Sequence, residues 1–211
     1  STVHHFLRAG DCLSTVQAME ALGARSSFND DGTLSIEGTG GKLLEPAGPL
    51  DLGNSGTSIR LLAGLVAGFP VTVEMTGDAS LRARPMQRIR EPLERMGAGV
   101  ELLGPGGCAP VRILGGRLRG MEYRLPVASA QVKSCVLLAA LLAEGRTVVI
   151  EPAPTRDHTE RILQTLGVSL EIRGGMIALD GGGGKLPHWP PRTWRVPGDF
   201  SSAAYWLFAA A

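Results

Sequence analysis

The sequence predicts an α/β (α+β) fold. The expected architecture is an inside-out, barrel-like domain of three repeated βαβαββ-type units with pseudo-threefold symmetry, apolar helices central and sheets outside. Three observations predict it. The first is an internal repeat. VQAMEALGA (16–24), IREPLERMGAGVEL (89–102) and RILQTLGVSLEI (161–172) each read as an amphipathic helix ending at a glycine and followed by a strand. Their glycines, Gly23, Gly97 and Gly167, recur about 70 residues apart. The second is a more apolar helix later in each unit: GTSIRLLAGLVAG, SAQVKSCVLLAALLAEG and DFSSAAYWLFAAA. A helix apolar all round must be covered on all sides, which places these three at the centre. The third is composition. Gly and Pro make up about a fifth of the 211 residues, against roughly 12% on average. Yet 44% of residues are hydrophobic, so the chain reads as a folded body with many tight turns rather than a disordered polymer.

The elements follow in order. Within the second amphipathic helix, Met86, Ile89, Leu93 and Met96 share one face at helical spacing. Each terminal glycine suits a helix C-cap, where a left-handed backbone is cheap only for glycine. A hairpin comes next in each unit. Its strands are marked by Leu34 and Ile36, by Val111 and Ile113, and by Ile177 and Leu179. The turns are Asn-Asp-Asp-Gly (29–32), Gly-Pro-Gly-Gly (104–107) and Arg-Gly-Gly (173–175). A polar Gly/Pro stretch then leads to the apolar helix, and two of these are followed by β-branched strands, Val71–Val73 and Thr147–Ile150. The repeats are expected at about 11–76, 77–151 and 152–211, the last truncated inside its apolar helix.

Charge and cysteines exclude several functions. Twenty-one Lys+Arg face 20 Asp+Glu, a net charge of +1. That gives no case for nucleic-acid or membrane-surface binding. Aromatics at 5% leave little for a base-stacking groove. Three scattered cysteines, Cys12, Cys108 and Cys135, make no disulfide framework and no metal cluster, and they suit a reducing, cytoplasmic setting. The apolar runs are too short to span a bilayer.

The chemistry sits at helix starts. Each apolar helix opens with small hydrogen-bonding residues: Gly53-Asn54-Ser55-Gly56-Thr57-Ser58, Ser129-Ala130-Gln131, and Asp199-Phe200-Ser201-Ser202. Helix N-termini present unpaired N–H groups and favour anions. Symmetric repeats would open all three on one side, a rim suited to phosphate or carboxylate. For any one of them plain N-capping is the better explanation; only the three together bring the anion reading level with it. Arg84 and Arg156 stand at equivalent places, just before the amphipathic helices of the second and third units. A cation there opposes the helix dipole and invites an anion. Arg88, Arg90, Arg95 and Arg161 lie within helices beside acids and read as surface pairs. Lys133, on an apolar helix, reads as either a site cation or a lysine that snorkels to the surface, the second being preferred. His158 is a possible site residue by position. GGGGK (181–185) lacks the Ser/Thr and the context of a phosphate-binding loop. Cys108 reads as a hairpin-turn residue.

Five segments, in order over nearly the whole chain, resemble the EPSP synthase (3-phosphoshikimate 1-carboxyvinyltransferase) family: LGNSGTSIRLL (52–62), GDASLRARPM (77–86), PVASAQVKSCVLLAAL (126–141), PAPTRDHTERIL (152–163) and VPGDFSSAAYWL (196–207). The resemblance implies transfer of the enolpyruvyl group of phosphoenolpyruvate to the 5-hydroxyl of shikimate 3-phosphate, in aromatic amino acid biosynthesis, with no metal and no cofactor. It implies that Ser129, Ala130, Gln131 and Arg156 hold shikimate 3-phosphate. It implies that Gly56, Arg84 and Gln131 hold phosphoenolpyruvate, with Asn54, Thr57, Arg60, Thr155 and Asp199 in support. Some relatives carry a second Ser where Ala130 stands, so contact there would come from the main chain. The family's opening Lys-Ser…Arg motif, its second domain and the acid–base groups in that domain are not found, so no catalytic residue is identifiable and the chain alone is expected to be inactive or very weak. A non-catalytic phospholigand-binding or fragment-pairing half-domain is the alternative reading. UDP-N-acetylglucosamine enolpyruvyl transferase and RNA 3′-phosphate cyclase resemble the same architecture. The charge balance argues against the RNA-directed member.

Overall fold

A computed structural model describes residues 1–199, 203–204 and 208–209. In chain order the elements are β1 (Thr2–His4), α1 (Gly10–Ala21), β2 (Arg25–Phe28), β3 (Leu34–Glu37), β4 (Leu50–Asp51), α2 (Gly56–Ala67), β5 (Thr72–Thr76), α3 (Ala79–Arg82) and α4 (Gln87–Met96). They continue with β6 (Gly99–Leu102), β7 (Val111–Leu114), β8 (Glu122–Arg124), α5 (Ala130–Ala140), β9 (Arg146–Ile150), α6 (His158–Thr165), β10 (Glu171–Arg173), β11 (Met176–Asp180) and β12 (Thr193–Arg195).

Among the described residues the strands form three four-stranded sheets of one design, ordered β12-β1-β3-β2, β4-β5-β7-β6 and β8-β9-β11-β10. In each, an edge strand runs parallel to its neighbour and the hairpin pairs antiparallel beyond it. The segment β4-α2-β5-α4-β6-β7 is therefore a complete βαβαββ unit, and β8-α5-β9-α6-β10-β11 is a second. The remaining sheet takes its parallel edge strand, β12, from far along the chain. The mixed α/β fold of three similar units is the one the repeat predicts. The edge strands β4, β8 and β12 were not expected, because they are two or three residues long and lie in the Gly/Pro-rich stretches.

The core forms where the apolar helices meet. α2 and α5 pack along each other, burying Ile59, Leu62, Ala63 and Val66 against Val132, Cys135, Val136 and Ala139. They meet backbone to backbone at Gly64, where a β-carbon would stand 2.1 Å from the Cys135 carbonyl oxygen. Only glycine fits there. The amphipathic helices cover this centre from the side of their sheets. Met86, Ile89, Leu93 and Met96 are all buried along α4, as their spacing predicts. Gly23, Gly97 and Gly167 end α1, α4 and α6 with φ of +106°, +112° and +86°, the left-handed caps the repeat called for. Cys108 lies in the β6–β7 turn. Among the described residues no helix is long and apolar enough to cross a membrane. The third apolar helix, expected from Phe200 onward, falls largely outside the described residues.

Candidate functional site

Side-by-side packing brings the N-termini of α2 and α5 together. Ser55 caps α2, its hydroxyl accepting the Ser58 N–H at 3.2 Å. Ser129 caps α5 by accepting the Val132 N–H at 3.4 Å. Each serine cap satisfies one first-turn donor and the Asn54 carbonyl accepts the Gly56 N–H at 3.0 Å, while helix geometry leaves the Thr57, Ala130 and Gln131 N–H groups without an intrahelical partner. The two turns are joined by side chains. Arg60 donates through Nη1 to the Gly56 carbonyl and to Gln131 Oε1, both at 2.9 Å. Its Nη2 donates to the Pro85 carbonyl at 3.2 Å. Gln131 in turn donates to the Thr57 hydroxyl at 2.9 Å.

Arg84 reaches the same place from the segment before α4. Its Nη2 donates to Asn54 Oδ1 at 2.6 Å. Asn54 donates onward to Asp78 at 2.9 Å, while the other Asp78 oxygen caps α3 through the Leu81 N–H at 2.8 Å. These hydrogen bonds, that from Asn54 first, hold the Asp78 carboxyl below its ordinary range. Gly56 is glycine for a visible reason: a β-carbon there would lie 2.6 Å from Arg84 Nη1 and 3.0 Å from Arg60 Nη1.

The rim is electropositive. Burial pulls the Arg60 pKa down, and the charges of Arg84 and Arg88 pull it further. Among the described residues no ion pair within 4.0 Å neutralises Arg60, Arg84 or Arg88. Like charges whose nearest carboxylate, Asp78, stands back behind Asn54, beside two helix N-termini, make a site for an anion.

The structure thus gathers Asn54, Gly56, Thr57, Arg60, Arg84 and Gln131 into one bonded cluster, with Ser129 and Ala130 on the adjoining turn. Arg156 is exposed on the loop between β9 and α6, and His158 is exposed at the start of that helix. Thr155, beside Arg156, donates to Glu151. Asp199 is exposed, its carbonyl accepting the Ala203 N–H at 3.0 Å. Its neighbours Phe200, Ser201 and Ser202 lie outside the described residues.

Two expectations are corrected. Arg90, Arg95 and Arg161 do pair with Glu94, Glu91 and Asp157, but among the described residues Arg88 pairs with no acid, and its charge acts on Arg60 at the rim. Lys133 does not snorkel. It is 1% exposed and its ammonium sits 3.1 Å from Glu151 and 2.5 Å from Glu160. The available signal was Glu160, three residues before the buried Leu163 on α6. An acid on an apolar helix face needs a buried cation.

The whole chain, residues 1–211, matches the model of the EPSP synthase (3-phosphoshikimate 1-carboxyvinyltransferase) family. It is 52% identical to the 3-phosphoshikimate 1-carboxyvinyltransferase of Methylococcus capsulatus, over 99% of this chain and 47% of that protein. With its counterpart from Salinibacter ruber it shares 50% identity, over 99% and 48%. The solved EPSP synthase of Acinetobacter baumannii superposes with a TM-score of 0.90 at 46% identity, covering all of this chain and 47% of that one. The chain spans about half the length of the curated relatives it matches. Three sheets of one design, an arginine-rimmed pair of helix starts and a match along every residue lead to one conclusion: the chain belongs to the EPSP synthase family.

Proposed function

We propose that this chain supplies one substrate-gripping domain, of three repeats, to an enzyme that transfers the enolpyruvyl group of phosphoenolpyruvate to the 5-hydroxyl of shikimate 3-phosphate in the cytoplasm. The observation that carries the reading is the Arg60–Gln131 contact. It joins two helix N-termini beside guanidiniums that make no direct ion pair among the described residues. Both substrates are polyanions, so such a rim serves them without a metal or cofactor.

Each residue has a part in this reading. Ser129, the main chain of Ala130, Gln131 and Arg156 hold shikimate 3-phosphate. Gly56, Arg84 and Gln131 hold phosphoenolpyruvate, with Arg84 leaving Asn54 to grip the carboxylate or phosphate. Arg60, Thr57, Asn54, Thr155 and Asp199 brace the rim. The cationic rim suits binding and charge stabilisation but not proton transfer at neutral pH. The acid–base groups are therefore assigned to a second domain of the parent protein, closing over the first.

The test is genetic. The full-length parent should restore growth without aromatic amino acids to a bacterium lacking its own EPSP synthase. Failure of a well-expressed parent to do so would refute the reading.

A further inference from the structure

We propose that Lys133 is a positioning residue. Buried beneath the rim, it fixes the Arg156 loop to the first turns of α5 so that Arg156 and Gln131 close on one polyanion. The inference deepens the site reading above and rests on it.

Lys133 lies one turn beyond the Ser129 cap of α5. Its ammonium meets Glu151 Oε2 at 3.1 Å and Glu160 Oε1 at 2.5 Å, and all three side chains are nearly sealed from solvent. Glu151 follows β9, and its second oxygen accepts the Thr155 hydroxyl. Thr155 immediately precedes Arg156. Glu160 stands in the first turn of α6, just after Arg156. A hydroxyl pair, Ser134 with Thr159 at 2.6 Å, adds a second tie between α5 and α6. The chain on both sides of Arg156 is thereby moored to the helix that carries Ser129, Ala130 and Gln131.

Stability does not explain this cluster. Buried ion pairs contribute little net stability, and apolar residues of similar volume often do as well or better. Here two carboxylates face one ammonium, and Glu160 Oε2 has no hydrogen-bond partner among the described residues. What an apolar cluster cannot supply is direction. Charge-assisted hydrogen bonds fix a loop in one register, and a loop already in place loses less entropy when its arginine grips a ligand.

The experiment titrates shikimate 3-phosphate into the full-length protein by calorimetry, with the KM for phosphoenolpyruvate measured alongside. Arg156→Ala is the reference and should weaken shikimate 3-phosphate by about 10- to 100-fold. Lys133→Met should weaken it at least about tenfold while moving the KM for phosphoenolpyruvate by less than about threefold, and should add almost nothing in the Arg156→Ala background. If Arg156→Ala binds normally, the site reading itself fails. If Arg156→Ala binds weakly but Lys133→Met binds normally, or the two losses multiply in the double variant, the positioning role is overturned. Should Lys133→Met not fold, Thr155→Val cuts the last link without exposing a buried charge. It should weaken binding at least about threefold, again with no further loss beside Arg156→Ala. Multiplying losses there overturn the proposal too.

Discussion

The Arg60 guanidinium donates to the Gln131 side-chain oxygen at 2.9 Å, and this contact couples the first turns of α2 and α5. Because Gln131 also donates to Thr57, it is a two-way clamp rather than a capping residue. On the proposed assignment it serves both substrates.

Gln131→Ala should therefore weaken both. It removes a hydrogen bond to a charged partner, worth about 1.5–3 kcal/mol, or roughly 10- to 100-fold in affinity. Titrations of each substrate into the full-length protein check this. A loss confined to one substrate contradicts the shared role.

Gly56→Ala should act through the arginines. The added methyl meets Arg84 Nη1 and Arg60 Nη1, flexible ends that can retreat but only by leaving the rim. The expected result is a folded protein with the KM for phosphoenolpyruvate raised about tenfold. An unchanged KM contradicts the steric account.

Gly64→Ala should act on the fold. Here the obstacle is the Cys135 carbonyl, which belongs to the backbone of α5 and cannot turn aside. Separating the two central helices should cost about 3 kcal/mol or more, seen as a lower urea midpoint and Tm. A variant as stable as the parent would mean that the helices do not cross at this point.

Cys135 should make stability fall at alkaline pH. Burial pushes its thiol from an ordinary 9.0 up to about 12. The unfolded chain therefore loses a proton above pH 9 that the folded chain keeps. The contribution is whole below pH 9 and declines by up to about 1.4 kcal/mol per pH unit as pH rises toward 12. Urea unfolding at pH 8 and pH 10.5 should show the parent's advantage over Cys135→Ala shrinking by about 2 kcal/mol. A constant gap contradicts the shift.

Much of this was legible in the residues. The amphipathic helices, their glycine caps and the hairpins are local features, so periodicity and turn chemistry reveal them. The places of Gly56 and Gln131 at helix starts, and of Arg84 and Arg156 ahead of the amphipathic helices, were legible because helix starts are local too. The edge strands were not. Leu50–Asp51 carries no alternation to read, and Tyr123 is buried only because Glu122–Arg124 joins β9. Arg88 was hidden by the acids on its own helix, which could have paired with it. Lys133 was hidden by distance along the chain, since Glu151 and Glu160 meet it only after β9 and α6 pack on α5. Pairings between elements are set by tertiary structure, and a single sequence does not display them.

The central claim is that the arginine-rimmed helix starts hold phosphoenolpyruvate beside shikimate 3-phosphate for enolpyruvyl transfer. Release of inorganic phosphate from phosphoenolpyruvate by the purified full-length protein tests it most directly. The account predicts release only when shikimate 3-phosphate is present, with kcat/KM for phosphoenolpyruvate lowered at least about 100-fold in Arg84→Ala. Release that ignores shikimate 3-phosphate, or an Arg84→Ala enzyme as active as the parent, would contradict it.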